Sequence, residues 1–249
     1  MIFIDEKDNN KIDINSNYQI RGFFDKIIDE AQLEEISKKM NIKDANRVLD
    51  VNCGEGNASL YFAKKYPKTS FIAVESDINK VKEARNHLYK SDIRNLSYLF
   101  NKNEIIPYAN DYFDKVIFRD SFNHLNDPIN MLLQVKKTLK NEKEIFISSA
   151  IPDLSDKNRF IDDFIRLSDS EHVKLYSKED YIEMLGKLNF ILKEWYFTDC
   201  KFSTNKINQF FNLLKKHKEN TIKYYEIDRL IERIIVNCRV INMIFINKK

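Results

Sequence analysis

From residue 47 onward the chain alternates short apolar runs with stretches of helical spacing. The runs at 47–51, 71–75, 96–100, 115–119 and 144–149 carry Val, Ile, Leu and Phe with little polar interruption. This is the pattern of strands buried on both faces of a parallel sheet. Between them, residues 58–66 (stopped before Pro67), 79–88 and 128–139 repeat apolar side chains at three- and four-residue intervals and predict helices. Asp77 sits near the start of one and Asp127-Pro128 opens another, residue types suited to a first helical turn.

The flanks read differently. Residues 1–16 are polar and poorly patterned. From Asn17 a helix is predicted, with Ile20, Phe23, Phe24, Ile27 and Ile28 on one face, followed by a short helix over 33–40. Beyond residue 151 the spacing predicts a helix through Phe160, Phe164, Ile165 and Leu167. Ser177-Lys-Glu-Asp180 predicts a capped helix start, and a sixth strand is expected over 191–197. Residues 199–238 show helical spacing at Phe210, Leu213 and Leu214 and again at Ile227, Leu230 and Ile231, which predicts a helical insertion before a closing strand at 239–246. No repeat or Gly/Ser linker divides the chain, so residues 1–249 are read as one domain: 1–46 N-terminal helices, 47–150 core, 151–249 substrate-side helices, last strands and insertion. Strand–helix alternation predicts an α/β fold with a doubly wound sheet.

Composition narrows this little. At 43% hydrophobic and 12% aromatic residues the chain can build a core, and no apolar run is long enough to span a membrane. A net charge of +3, spread over many Lys and Glu, gives no footprint for nucleic acid. Cys53, Cys200 and Cys238 are widely spaced and fit neither a disulfide framework nor a zinc site, which predicts thiols in a cytoplasmic protein and no metal.

The informative chemistry lies in one turn. Of only four glycines, two stand at Gly54 and Gly56, directly after the first strand, in Asp50-Val-Asn52-Cys53-Gly54-Glu-Gly56. Glycine permits φ > 0 and the close approach of a ligand, and the amides of the following helix then face that ligand. Asp50 lies inside the strand, where a carboxylate needs a partner, so it anchors the loop or contacts a polar or cationic ligand. Glu75 ends the second strand, 19 residues after Gly56, where a carboxylate can accept from both hydroxyls of a ribose. The fourth strand delivers Arg119-Asp120-Ser-Phe-Asn-His124 to the carboxyl edge of the sheet, where open α/β folds bind ligands.

This stretch resembles the first motif of the class I S-adenosylmethionine-dependent methyltransferases, acidic-x-Gly-x-Gly-x-Gly, with Asn52 at the first glycine position. Asn tolerates left-handed backbone best after glycine. Ile106-Pro107-Tyr108 and Tyr112-Phe113-Asp114 are similar to segments that flank the family's fourth strand. The resemblance implies a Rossmann-like, mostly parallel seven-stranded sheet with the last strand antiparallel, and S-adenosyl-L-methionine as cofactor. It implies cofactor contacts at Asp50, Asn52, Cys53, Gly54, Gly56, Glu75, Ser76, Asn101, Lys102 and Arg119. It also implies N-terminal lid helices. Arg119-Asp120-x-x-x-His124 is further similar to phosphoethanolamine and other small-amine methyltransferases, which implies catalytic roles for Asp120, His124 and a lid tyrosine, Tyr18. Methyl transfer to a protonated amine or a hydroxyl is helped by a base.

The expected activity is therefore methyl transfer to the N or O of a small-molecule acceptor, by a monomer or homodimer, without nucleic acid or membrane. A methyltransferase fold that has lost catalysis and serves as a binding or regulatory subunit is the alternative, since Asn52 replaces a motif glycine, loop glycines are missing, and Asn101-Lys102-Asn103-Glu104 has no Asp in the expected place after the third strand. A nicotinamide dehydrogenase fits poorly, because the third glycine of that fingerprint would fall at Ser59 and Asp50 is foreign to it.

Overall fold

The computed structural model describes residues 30–102, 105–217 and 223–249. The chain divides into two compact units, Met1–Lys39 and Met40–Lys249. In the first, helix α1 (30–39) carries an exposed Glu34–Lys38 pair at 3.5 Å, and the Ser37 hydroxyl donates to the Glu34 carbonyl. The helix expected from Asn17, with its Tyr18, lies outside the described residues.

The second unit is built on one eight-stranded sheet. Strands β1 (Arg47–Val51), β2 (Ser70–Glu75), β3 (Leu96–Phe100), β4 (Phe113–Arg119) and β5 (Leu139–Ala150) run parallel in the order β3-β2-β1-β4-β5. β1 and β2 are buried at every position but their first, as the uninterrupted apolar runs predict. Helices α2 (Asn57–Lys65), α3 (Ile78–Tyr89) and α4 (Pro128–Thr138) connect them. Their starts follow the sequence chemistry: Asp77 accepts from the Asn79 amide, and Asp127 accepts from the Asn130 amide with Pro128 in the first turn. Asp114 binds the amides of Asn46 and Arg47 and the Lys140 ammonium, which pins the entry to β1 against β4.

The C-terminal half holds α5 (Phe160–Arg166), α6 (Lys178–Lys187), β6 (Phe190–Thr204), α7 (Ile207–His217), β7 (Ile227–Arg229) and β8 (Ile234–Asn247). α6 opens with the expected capping box, Ser177 to the Asp180 amide and back. β8 inserts antiparallel between β5 and β6, and the short β7 also pairs with β8.

Three expectations change here. The sheet has eight strands rather than seven, because the short β7 joins β8. The insertion 199–238 is helical only over Ile207–His217, since β6 continues through Thr204 and β8 begins at Ile234. The spacing of Ile227, Leu230 and Ile231 is not a helix face: Leu230 and Ile231 are exposed in the turn between β7 and β8, and the β-branched Ile234-Ile235-Val236 that follows favours a strand. β5 likewise begins at Leu139 instead of 144, and Glu142 takes the left-handed conformation (φ 59°) within it, where the register against β4 shifts between Phe113↔Leu139 and Lys115↔Glu144. One core cluster joins the sheet to α4 and α6 through Phe118, Phe122, Met131, Tyr181 and Leu185. A second joins α5 and α7 to β8 through Phe160, Phe164, Phe210 and Val236.

Candidate active site

The turn after β1 is held by three left-handed residues at alternate positions, Asn52 (φ 51°), Gly54 (φ 59°) and Gly56 (φ 77°). Asn52 thus adopts the conformation that glycine holds in the resembled motif. The Cys53 amide donates to the Val74 carbonyl (3.1 Å) and the Gly56 amide to the Cys53 carbonyl (3.0 Å), closing the turn against β2. The two glycines have different reasons. A Cβ on Gly56 would stand 2.4 Å from the Tyr98 ring, whose hydroxyl donates to the Gly56 carbonyl at 2.7 Å. At Gly54, among the described residues, no atom stands within 4 Å of where a Cβ would be, so the backbone there faces open space.

Two buried carboxylates underlie the turn. Glu75, 5% exposed, accepts from the amides of Gly54 (2.7 Å), Ser76 (2.7 Å) and Asp77 (3.0 Å), tying the turn to the end of β2. Asp50, also 5% exposed, accepts from the Ser59 hydroxyl of α2. Burial pushes Asp50 up to about 6; the Ser59 hydrogen bond and the Arg119 charge pull it down, and Glu75 adds to the rise. Burial likewise drives the Cys53 thiol far above its usual range, which removes it as a nucleophile.

The carboxyl end of β4 supplies the other wall. Arg119 pairs with Asp120 at 3.4 Å, and Asp120 itself is left-handed (φ 50°), its amide donating to the Ser148 carbonyl. A non-glycine residue held in that region costs free energy and marks a position that the surroundings fix. The 3-10 turn Phe122–His124 follows, and the His124 Nε2 lies 2.8 Å from Asp169 Oδ2.

The segment between α5 and α6 forms the cover. The amides of Val173 and Lys174 donate to the Asn123 carbonyl, and Glu171 pairs with Lys80 of α3. Burial works against the Lys80 charge, but Glu171, Glu75 and Asp77 outweigh it and hold its pKa above the ordinary value. The His172 side chain is fully buried, with Nε2 at 2.7 Å from Asp162 and Nδ1 at 3.1 Å from the Asn123 amide nitrogen.

A cavity of about 490 Å³ is lined by Asn52, Gly54 and Glu75 together with Arg119, Asp120 and His124. Cys53 and Ser76 also line it. Asp50 and Gly56 lie behind the turn as its supports. Asn101 and Lys102 do not line the cavity. The Asn101 side-chain oxygen accepts from the Ile105 amide and its own amide donates to the Glu75 carbonyl, so it closes the loop after β3, while Lys102 is exposed.

Four contributors escaped the sequence reading. Tyr98, Lys80, Asp169 and His172 each act through a partner brought in by the fold. The one sequence signal was the polar cluster Asp169-x-Glu171-His172 between the two substrate-side helices. His172 and His217, which look isolated in sequence, pair with the adjacent Asp162 and Asp163. Among the described residues no group of His, Cys, Asp and Glu is arranged to hold a metal ion, and no helix is long and apolar enough to cross a membrane.

The sheet, the glycine turn and the acidic residue ending β2 define a class I S-adenosylmethionine-dependent methyltransferase. The open backbone at Gly54 beside the Glu75 carboxylate fits the ribose of that cofactor, and the two buried carboxylates suit its positive charge. Sequence comparison agrees: residues 42–189 match the family described as Methyltransferase domain, and the chain belongs to that family. An uncharacterized methyltransferase of Schizosaccharomyces pombe is 31% identical over 105 residues, 40% of this chain and 38% of that protein. Phosphoethanolamine N-methyltransferase 1 of Arabidopsis thaliana is 24% identical over 78% of this chain and 37% of its own length. The chain thus spans well under half the length of these two curated relatives. In fold it is similar to the YcgJ protein of Bacillus subtilis, with a TM-score of 0.75 at 18% identity, covering 88% of this chain and 99% of that one.

Proposed function

We propose that this methyltransferase acts on the nitrogen or oxygen of a small polar acceptor and that His124 takes up the acceptor's proton. The observation that carries the reading is one cavity lined both by the glycine turn and Glu75 and by Asp120 and His124. Its volume lies within the range of small-molecule sites. When bound, the cofactor supplies an electrophilic methyl group on a sulfonium.

The chain's own residues then do three things. Gly54, Asn52 and Ser76 present backbone and side chain to the cofactor, and the Glu75 carboxylate takes its ribose hydroxyls. The Arg119 charge lowers the Asp50 pKa and so favours its carboxylate form at the base of the turn. Asp120 and His124 receive the acceptor, with Asp120 holding an ammonium or hydroxyl and His124 removing its proton. Displacement at a methyl group depends on alignment, so a cavity that fixes both partners does most of the work.

A nitrogen acceptor is favoured because curated relatives named as phosphoethanolamine and (S)-coclaurine N-methyltransferases match this chain. Residues 1–46, with Tyr18, are proposed as a lid, within one methyltransferase domain acting as a monomer or homodimer. Three cysteines held as thiols accord with a cytoplasmic setting. Turnover of the purified chain with a panel of small amines, phenols and carboxylates, followed by S-adenosylhomocysteine release, tests the reading. Methylation confined to amines or hydroxyls supports it, methylation of carboxylates alone would remove the proton-taking role of His124, and no methylation of any nitrogen or oxygen acceptor overturns it.

A further inference from the structure

We infer that Asp169 is the positioning residue for His124: it fixes the imidazole as the Nε2–H tautomer and leaves Nδ1 to take the acceptor's proton. The inference rests on the reading of His124 as the base. Asp169 lies on the cover segment, 45 residues along the chain from His124, and its Oδ2 is 2.8 Å from Nε2. Among the described residues no hydrogen bond reaches the His124 Nδ1, and the ring is a quarter exposed along the cavity wall.

The neighbouring histidine supplies the contrast. His172 packs edge-to-face on His124, with ring centres 6.5 Å apart, but it is engaged at both nitrogens and has no exposed side-chain surface. Of the two, only His124 combines one anchored nitrogen with one that takes part in no hydrogen bond among the described residues, on a ring that lines the cavity and is partly exposed. Asp169 is itself held ready. Its other oxygen accepts from the Glu171 amide at 3.0 Å, and Glu171 pairs with Lys80 across the cavity mouth. Burial works against the Asp169 charge, but the hydrogen bond and charge of His124, the Glu171 amide and His172 hold its pKa below the usual carboxylate range. The carboxylate therefore stays ionised and accepts from Nε2–H. A proton leaving the acceptor passes to Nδ1, the imidazolium formed is balanced by Asp169, and the proton is later lost to water. A carboxylate serves a catalytic histidine in this way on unrelated folds, where its replacement by an amide misorients the tautomer.

The test needs no acceptor. In the 15N-histidine-labelled full chain at neutral pH, His124 should show a pyrrole-like Nε2 and a pyridine-like Nδ1, and D169N should lose that pattern. With an acceptor identified, D169N should lower kcat by about 10²–10⁴-fold while KM for S-adenosylmethionine changes little. An Nδ1–H tautomer in the native chain, or a D169N spectrum with the pattern intact, overturns the inference. Full turnover in D169N beside an inactive H124A would also overturn it and leave His124 as the base. Full turnover in H124A would instead remove the underlying reading. A fall in thermal stability of D169N without loss of the tautomer would reduce Asp169 to a fastening of the cover segment.

Discussion

The Tyr98 hydroxyl donates to the Gly56 carbonyl at 2.7 Å while its ring occupies the space that a Gly56 Cβ would need. The two residues are 42 positions apart and fix the shape of the cofactor turn from behind. G56A should therefore fail twice, by forcing alanine to φ 77° and by driving a methyl into the ring. Y98F should remove one of the two donors to the Gly56 carbonyl, the Leu60 amide at 2.9 Å remaining, at a cost of about 0.5–1.5 kcal/mol. Thermal unfolding and cofactor titration of both variants check this. Equal affinity in G56A would show that the turn does not bind the cofactor.

Glu75 joins three backbone amides to the cavity, so E75A should weaken both the turn and the cofactor. Loss of a charged hydrogen-bond acceptor corresponds to about 1.5–3 kcal/mol, roughly 10–150-fold in Kd. Unchanged affinity for S-adenosylhomocysteine in E75A would remove Glu75 from the ribose.

Asp50 makes stability depend on pH in a defined direction. Its folded pKa of about 6 lies above the ordinary value of 3.8, so between these the folded chain binds more protons than the unfolded one. Its contribution to stability is therefore lost as pH rises through that window, by about 3 kcal/mol in all on the order-of-magnitude scale of two pH units. D50N keeps an acceptor for Ser59 and should flatten this slope, with a higher Tm than the native chain at pH 7.5. Cofactor affinity of D50N should fall, since a cation favours the ionised form. A native chain whose Asp50-dependent stability rises over pH 4–6 would contradict the assignment.

His124 and His172 should separate cleanly on substitution. H124A should lower turnover by about 10²–10⁴-fold with cofactor affinity retained. H172A removes one partner of the buried Asp162 carboxylate, which keeps Arg159 and the Leu175 amide, and should destabilise the fold by about 1–3 kcal/mol. Calorimetric unfolding beside initial rates distinguishes the two. A stable H172A that is catalytically dead would exchange their roles.

Much of the parallel half was readable because burial on both faces leaves continuous apolar runs, as in Phe71–Val74, and because helix starts such as Asp77 and Ser177 announce themselves chemically. The left-handed Asn52 and the strand-ending Glu75 belong to this local class. What could not be read depends on register and long-range contact. Tyr98 reaches Gly56 only because β3 pairs with β2 in the register Tyr98↔Ala73. Asp169 and His172 meet His124 and Asn123 through a segment with no periodic pattern of its own. Both last strands were read, but the extension of β6 to Thr204, the early start of β8 at Ile234 and the short β7 were hidden by Ile227, Leu230 and Ile231, whose helix-like spacing arises from a short strand and an exposed turn.

Calorimetric titration of the full chain with S-adenosylmethionine and S-adenosylhomocysteine, with NADH as control, asks whether the glycine turn and Glu75 bind the cofactor. Saturable one-to-one binding of the first two, weakened by E75A, with no heat from NADH, is the expected result. Binding of NADH alone, or no binding of either sulfur compound, would contradict it.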